Sequence, residues 1–221
     1  MPRETEIKLR IHDRTALLRR LKKLRARLAS GRTGRVHEMN VIFDTPRGDL
    51  GKRGQLLRVR IETPEPASKR SLAPGSQAPK QRIRLTMKLP VADEATCQPP
   101  EPPRRHKVRE ELELEVADAG TLTRIFEGLG MKGWFRYEKY RTTFRPPASL
   151  RWSKGLLIEL DETPIGVFLE LEGPPEAIDR AAAELGFAKR DYIVENYLSL
   201  YVQACRAAGE EPRDMLFAPH K

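Results

Sequence analysis

Charged residues at alternate positions are the part of this sequence that could do chemistry. The chain begins with Glu4, Glu6 and Lys8, each separated from the next by one residue. In an extended strand such side chains share one face and lie about 7 Å apart. Two carboxylates and an ammonium group are costly to bury unless other groups pair with them. A single row of this kind is typical of a solvated strand face, so a functional site requires further rows with complementary charges.

Further rows occur along the chain, and rows of one sign tend to occupy different segments. The acidic pairs are Glu4/Glu6, Glu111/Glu113, Glu159/Asp161 and Glu170/Glu172, and the basic pairs are Arg58/Arg60, Arg84/Lys88 and Lys139/Arg141. A solvated sheet would usually mix the signs along each strand, because opposite charges then pair across neighbouring strands. Clustered carboxylates repel one another unless a multivalent cation lies among them, and clustered Arg and Lys require a polyanion. The rows therefore favour one site for a divalent metal and a polyphosphate.

The metal ligands of this site are predicted to be carboxylate oxygens, because the four His and two Cys are scattered. Oxygen ligands alone favour Mg²⁺ or Mn²⁺ over Zn²⁺. The predicted metal ligands are Glu4, Glu6, Glu111, Glu159, Asp161, Glu170 and Glu172. A metal in such a site polarises a phosphoryl group and lowers the pKa of a bound water. Hydrolysis would then need no side-chain nucleophile, and Glu4, Glu6, Lys8, Glu159 and Asp161 are the predicted catalytic residues.

The phosphates are predicted to be held by cationic side chains. Arg grips phosphate oxygens in a bidentate manner, whereas Lys acts as a point charge. The predicted substrate-binding residues are Lys8, Arg58, Arg60, Arg84, Lys88, Arg109, Lys139 and Arg141. A nucleotide site of the P-loop type is excluded, because the spacing of Gly48, Gly51 and Lys52 is wrong and Arg53 follows the lysine.

These residues must be positioned by strands, because the apolar residues between them alternate with a period of two. The predicted strands are 3–11, 36–43, 56–62, 81–89, 107–116, 134–145, 156–161 and a last one after the turn at 164–166. Apolar residues at helical spacing predict helices at 13–27, 121–129, 175–185 and 192–207. Short strands that mostly lack crossover helices indicate an antiparallel, closed or nearly closed sheet.

Two arrangements of such a sheet explain the alternation. The apolar faces could pack inward and leave the charges in solvent, or the charges could line a lumen while helices cover an apolar outside. The helices have apolar stripes that need a partner surface, which favours the second arrangement. The predicted fold is therefore α+β, with an eight-stranded antiparallel β-barrel tunnel, a charged lumen and flanking amphipathic helices.

Composition sets the remaining expectations. The 221 residues predict a single domain over 1–221, with irregular Pro-rich insertions at 63–80 and 90–105. The net charge of +10 predicts an anionic partner. No apolar run approaches the length of a membrane span, and a strand that starts at residue 3 leaves no room for a signal peptide. We therefore expect a cytoplasmic protein that binds no membrane, and the sequence leaves a homodimer open.

Taken in order, these motifs resemble the CYTH superfamily, the triphosphate tunnel metalloenzymes, which include class IV adenylate cyclases and thiamine triphosphatases. The segments that carry the resemblance are Glu4-x-Glu6-x-Lys8, the turn at 43–46, Leu57-Arg58-x-Arg60, Thr86-x-Lys88, Arg109-x-Glu111, the run at 137–141, Glu159-Leu160-Asp161 and Glu170-x-Glu172. The resemblance implies an eight-stranded tunnel and a metal-dependent enzyme that acts on triphosphates. The insertions at 63–80 and 90–105 depart from the family pattern and leave the organic end of a substrate open.

The leading hypothesis is a hydrolase of inorganic triphosphate that releases phosphate, since no motif marks a base-recognition pocket. An adenylate cyclase, in which the ribose 3′-hydroxyl attacks the α-phosphate of ATP, is one alternative, and a thiamine triphosphatase is another. A non-enzymatic module that binds polyphosphate or RNA is a third, prompted by the basic face of the predicted helix at 13–27. Nucleic acid is the less favoured partner, because the carboxylate rows would have no role in binding it.

Overall fold

The alternating segments form the strands of one sheet. The computed structural model describes residues 3–29, 34–65, 80–91 and 105–218, so most of both insertions lies outside the described residues. The strands are β1 (Arg3–Ile11), β2 (Arg27–Leu28), β3 (Arg35–Asp44), β4 (Leu56–Pro64), β5 (Arg82–Pro90), β6 (Lys107–Val116), β7 (Lys132–Arg145), β8 (Leu157–Thr163) and β9 (Gly166–Glu172). The helices are α1 (Arg14–Lys23), α2 (Asp49–Lys52), α3 (Ala119–Gly128), α4 (Pro175–Glu184) and α5 (Tyr197–Ala208).

Eight of these strands close into a barrel. The order is β7-β3-β4-β5-β6-β1-β9-β8, every pairing is antiparallel, and β8 pairs back onto β7. This arrangement confirms the predicted eight-stranded antiparallel barrel. The short strand β2 was not predicted and adds to the edge of β7. The strands β4 and β5 continue to Pro64 and Pro90, so each overlaps the first one or two residues of an expected insertion.

The strand register places the charged rows on a common face. Glu6 lies opposite Glu172 on one neighbouring strand and opposite Lys107 on the other. Glu38 lies opposite Lys139 on β7 in the same way. Directly opposed residues of antiparallel strands point to the same side of the sheet. The charged rows of neighbouring strands therefore share the inside of the barrel, as the sequence predicted.

Helices cover much of the apolar outside. Leu17 and Leu21 of α1 and Ile178 of α4 pack with Ile7 and Leu169 in one buried cluster. A second cluster places Phe126 of α3 against β3 and β4. The sequence predicted that helices cover the apolar outside, and one part of it is left open. Leu112 and Leu114 on β6 are 43% and 65% exposed.

The last helix differs most from its predicted bounds. It was expected at 192–207, but it begins at Tyr197, where the Asn196 side chain accepts a hydrogen bond from the Ser199 amide at 2.8 Å. Ile193 instead forms a β-bridge with Lys8. Within α5, Tyr197 and Leu200 pack on Phe168, which lies on the lumen face. The helix therefore closes one end of the barrel instead of covering its side.

The first predicted helix ends early for a local reason. Asp13 caps α1 as expected, since its carboxylate accepts a hydrogen bond from the Ala16 amide at 2.9 Å. Arg25 then adopts a left-handed conformation with φ 57°, which turns the chain so that Arg27–Leu28 pairs with β7. None of the helices in the described residues is long and apolar enough to cross a membrane.

Candidate active site

The lumen is a cavity of about 590 Å³ to which every strand of the barrel contributes side chains. Thirteen of the predicted site residues line it: Glu4, Glu6, Lys8, Arg58, Arg60, Arg84, Lys88, Glu111, Lys139, Arg141, Glu159, Glu170 and Glu172. The predicted residues Arg109 and Asp161 do not. The alternation thus places acids and bases from strands far apart in the sequence around one axis.

Lys8 links two carboxylates of the lumen wall. Its Nζ lies 3.1 Å from Glu6 Oε1 and 3.3 Å from Glu170 Oε1. Lys107 also approaches Glu6, with 2.6 Å between Nζ and Oε1. Burial opposes ionisation of Glu6, but Lys8 and Lys107 outweigh it and lower the pKa of that carboxyl group. Burial likewise opposes the charge of Lys8, yet the two carboxylates raise its pKa. This group therefore stays ionised.

A second ionic group surrounds Glu38, which the sequence analysis missed. Its Oε2 lies 3.4 Å from Arg60 Nε and 3.6 Å from Lys139 Nζ, and its Oε1 lies 3.7 Å from Arg141 Nε. Burial would raise the pKa of Glu38, but these three cations lower it. Glu38 holds them together facing the lumen. Its position in the alternation of β3, in phase with Asn40, was the available signal.

Asp161 points to the inside of the barrel, opposite Arg141 and Phe168 in the register, but it does not line the tunnel cavity. It is fully buried, and it accepts hydrogen bonds of 2.7 Å from Lys139 Nζ, Arg141 Nε and the Tyr197 hydroxyl group. A carboxylate whose oxygens are all engaged by donors is not free to bind a metal. The geometry makes Asp161 a positioning residue for Lys139 and Arg141, whereas the sequence predicted a metal ligand at this position.

Arg109 also departs from its predicted place. It lies opposite Glu4 in the strand register, but it lines a neighbouring cavity instead of the tunnel. Lys107, two residues earlier on β6, reaches the tunnel in its place. The alternation gave the correct face for Arg109, but it could not show how far along the barrel axis the side chain lies.

Two tyrosines complete the lumen wall. Arg58 donates to the Tyr137 hydroxyl group at 3.3 Å. The Tyr197 ring lies 5.2 Å from Lys8 Nζ and 5.0 Å from Lys139 Nζ, measured to its centroid. Tyr197 could not be predicted from the strands, because α5 carries it in from outside the barrel. It was visible in the sequence only as an apolar position of the last helix.

The remaining acids are poorly compensated. The Glu172 carboxylate makes no hydrogen bond or ion pair with any of the described residues. Burial raises the pKa of Glu172 to about 8, and the charges of Glu159 and Glu4 add to the effect. Burial also raises the pKa of Glu4 to about 7, although Lys88 opposes the shift. These acids lie close enough to repel one another and lack sufficient cations.

This acidic group fits a divalent cation. Its donors are carboxylate oxygens, which suit Mg²⁺ or Mn²⁺. Within the part of the chain that the structure describes, no three acidic, His or Cys side chains are grouped closely enough to hold a metal on their own. Mg²⁺ is commonly bound by one or two carboxylates together with substrate phosphates, so Glu172 and Glu4 fit such a shared site.

Comparisons with known proteins give the family. The model of the CYTH domain matches residues 2–195, whereas no curated protein matches the sequence. A Vibrio parahaemolyticus protein, described as a candidate adenylate cyclase, is 17% identical with a TM-score of 0.65 over 89% of this chain and 96% of its own. The PH1819 protein of Pyrococcus horikoshii OT3 is 22% identical with a TM-score of 0.66 over 91% of this chain and 99% of its own.

A third solved structure is the Hippeastrum protein HpAC1, a candidate adenylyl cyclase with a dominant triphosphatase activity. It is 20% identical, with a TM-score of 0.52 over 95% of this chain and 97% of its own. At these identities the likeness concerns the fold alone. The family model, in contrast, spans every strand of the barrel. The chain belongs to the CYTH family.

Proposed function

We propose that this protein is a divalent-metal-dependent hydrolase of triphosphates, and that inorganic triphosphate is the smallest substrate its tunnel accepts. The observation that carries the proposal is that one lumen holds both ordered cations and two acids, Glu172 and Glu4, whose pKa is raised because their charge is not fully compensated. Proteins of the CYTH family typically act on triphosphates and depend on metal ions, which supports the proposal.

The cations of the lumen would bind the phosphate chain. Glu38 and Asp161 orient Arg60, Lys139 and Arg141, so that little side-chain freedom would be lost on binding. Arg58 Nε is buried and donates no hydrogen bond to any described residue. Such a buried donor would gain an acceptor from a phosphate oxygen.

Glu172 and Glu4 would hold the metal at the end of the phosphate chain. A bound Mg²⁺ or Mn²⁺ would polarise the terminal phosphoryl group and lower the pKa of its water. Glu159, which is buried and contacts Arg141, lies next to Glu170 in the register and could orient that water. Lys8 and Arg141 would stabilise charge that develops on the transferred group. No side-chain nucleophile is then required.

Phosphate release by the full-length protein tests the proposal. With Mg²⁺ or Mn²⁺ we expect phosphate from inorganic triphosphate, and none in EDTA. Glu172→Gln should reduce kcat by at least about 100-fold, because it removes a charge at the metal. The fold should survive, since that carboxylate has no bonded partner among the described residues. Glu210→Gln, at an exposed position, is the matched control.

Three outcomes would contradict the proposal. Release of cyclic AMP and pyrophosphate from ATP, instead of ADP and phosphate, would identify a cyclase. Failure to cleave inorganic triphosphate, nucleoside triphosphates or thiamine triphosphate would exclude hydrolysis altogether. Binding of long polyphosphate or RNA that persists in Glu4→Gln and Glu172→Gln variants without any turnover would favour a binding module.

A further inference from the structure

A further cavity, of about 530 Å³, lies on the outside of the barrel between the end of α1, the helix α4 and the loop at 146–152. We call it the flank pocket. It shares no lining residue with the tunnel, so a ligand bound there would be separate from the proposed substrate. Four cationic side chains line it: Arg20, Lys23, Arg25 and Arg180. Glu184 is the only acidic side chain among the described residues of its wall, which leaves a net charge of +3.

The four cations of the flank pocket are not neutralised. None of them forms an ion pair within the part of the chain that the structure describes. Arg14, at the start of the same helix α1, does form one, with 3.3 Å between its Nη2 and Glu162 Oε1. Like charges in one cavity repel one another, and a multivalent anion relieves this repulsion. Guanidinium groups bind phosphate oxygens in a bidentate geometry, which favours an anion with phosphoryl groups.

Two of the cations are held in place by neighbours that carry no charge. Arg20 donates a hydrogen bond from Nη1 to the Leu185 carbonyl oxygen at the end of α4. The Arg180 guanidinium group lies over the Trp152 ring, with 4.8 Å from its Cζ to the centroid. These contacts orient the two side chains without compensating their charge. Oriented side chains lose little conformational entropy when they bind a ligand.

Arg25 has a backbone conformation that favours glycine. Its φ is 57°, and among the described residues it is the only one other than glycine with a positive φ. It follows Leu24, the C-cap of α1, in a Schellman motif, in which the Ala26 amide donates to the Leu21 carbonyl oxygen at 3.0 Å. The left-handed residue that ends each of the helices α3, α4 and α5 is glycine: Gly130, Gly186 and Gly209.

The exception at the end of α1 is informative. An arginine in the left-handed region is less stable than a glycine, because its Cβ crowds the backbone. Residues held in unfavourable conformations concentrate at functional sites. The residue that departs from the glycine pattern is also one whose side chain lines the flank pocket. The sequence therefore retains a cation at this position at the expense of helix stability.

The shape of the flank pocket favours a compact anion over a nucleic acid. Its cations come from α1, from the turn after α1 and from α4, so they converge on one cavity. Proteins that bind single-stranded nucleic acids stack the bases on accessible aromatic rings. Trp152 is the aromatic side chain of this wall, and Arg180 covers one face of its ring.

We propose that the flank pocket is a second anion site, which binds a compact ligand with two or more phosphoryl groups outside the tunnel. Inorganic pyrophosphate is the simplest ligand of this class. It would also be the second product when inorganic triphosphate loses its terminal phosphate in the tunnel. The inference does not depend on the proposed hydrolase function, because none of the four cations lines the tunnel.

Fluorescence of the full-length protein tests the inference. The chain contains two tryptophans, Trp134 and Trp152, so Trp134→Phe leaves Trp152 as the only indole fluorophore. Pyrophosphate that binds Arg180 would change the contact of this cation with the ring, and we expect a saturable change in emission. The titration is done in EDTA, so that no metal complex of pyrophosphate enters the tunnel. Lys23→Ala/Arg25→Gly in this background should weaken the Kd by about 10-fold.

A matched control removes the same number of charges from the same helix. Arg19→Ala/Lys22→Ala changes exposed residues of α1 that do not line the flank pocket. At about 0.15 M salt, charges beyond about 8 Å are largely screened, and the Kd should stay within about 2-fold of the background value. Both double variants should keep kcat and KM for inorganic triphosphate within about 2-fold, because neither changes the tunnel.

Arg25→Gly alone separates binding from folding. Glycine adopts the left-handed conformation without strain, so this variant should raise Tm by about 2–4 °C. It should also weaken the Kd for pyrophosphate by about 3-fold or more. A loss of affinity in a stabilised protein cannot result from unfolding.

Four outcomes would overturn the inference. The first is an unchanged Trp152 emission with pyrophosphate, and the second is an equal loss of affinity in both double variants. The third is a Kd for sulfate equal to that for pyrophosphate, which would indicate a cationic surface without preference for linked phosphoryl groups. The fourth is tighter binding of an RNA oligonucleotide than of pyrophosphate at the same residues. The titration needs no turnover, so it decides even if the tunnel cleaves no triphosphate.

Discussion

Glu172 is the carboxylate whose negative charge the fold supports least. Its pKa is raised to about 8, so the folded protein binds a proton there that the unfolded chain releases near pH 4.5. Between these values the native state holds more protons, and the stability of the metal-free protein should fall as pH rises. Allowing for screening by solvent, the loss from this residue is about 2 kcal/mol.

Thermal unfolding in EDTA at about pH 5 and about pH 9 checks this expectation. Glu172→Gln should lose less stability than the native sequence on going to the higher pH, with a difference in Tm of about 4–8 °C. Mg²⁺ should stabilise the native sequence more at the higher pH, because the metal compensates the ionised carboxylate. The same pH dependence in both proteins would show that Glu172 is not destabilised by its surroundings.

Removal of the Asp161 charge should lower the stability of the folded protein, because this carboxylate is fully compensated by its partners. It accepts hydrogen bonds from Lys139, Arg141 and Tyr197. Asp161→Asn leaves two buried cations with too little negative charge, and we expect a loss of about 3 kcal/mol in the free energy of unfolding by urea. Glu172→Gln is the comparison, since it removes a carboxylate without bonded partners. Full stability of Asp161→Asn together with abolished turnover would instead indicate a direct catalytic role.

The sequence predicted most of the residues that line the lumen, because a period of two fixes the face on which each strand residue lies. Glu4, Glu6, Lys8, Arg60 and the other lumen residues follow from that rule. The rule gives no depth along the barrel axis, so it did not show that Arg109 lines a neighbouring cavity or that Lys139, Arg141 and Tyr197 enclose Asp161. The rule also does not indicate Tyr197, because this residue lies on the helix α5 and not on a strand.

At the scale of elements, α1 provides a matched pair of leucines. Leu21 is 2% exposed and packs on the outside of β1 and β9, whereas Leu18 on the same helix is 41% exposed. Leu21→Ala should cost about 3 kcal/mol in urea unfolding, because it leaves a cavity. Leu18→Ala should cost less than about 1 kcal/mol. Equal effects would mean that the apolar face of α1 does not cover the barrel.

Element types were easier to predict than element boundaries. Every barrel strand lies within a few residues of its predicted bounds, because alternation continues for as long as one face is buried. The start of α5 depends on a tertiary contact, the β-bridge between Ile193 and Lys8. Helical periodicity in the sequence gives no information about such a contact. The exposed outer face of β6 likewise depends on where helices pack, and local sequence does not specify it.

At the scale of the whole molecule, the net charge is not concentrated in the site. Of the described residues that line the tunnel, eleven are Lys or Arg and nine are Glu, which leaves a net charge of +2. The chain as a whole carries +10, so most of the excess lies elsewhere, including the basic residues of α1. A nearly balanced lumen is less suited to a bare triphosphate, which is highly anionic, than to a triphosphate whose charge is reduced by a divalent metal.

Triphosphate binding should therefore depend on metal. Calorimetry at about pH 9, where Glu4 and Glu172 are ionised, with the non-hydrolysable methylene analogue of inorganic triphosphate should give a Kd at least about 10-fold weaker in EDTA than in Mg²⁺, because the carboxylates repel the uncompensated phosphates. The double variant Glu4→Gln/Glu172→Gln should narrow this difference, chiefly by binding more tightly in EDTA. Glu210→Gln, which changes an exposed carboxylate, should leave both values unchanged. Equal affinity with and without metal would mean that the cations of the tunnel bind the phosphates alone and that Glu4 and Glu172 have another role.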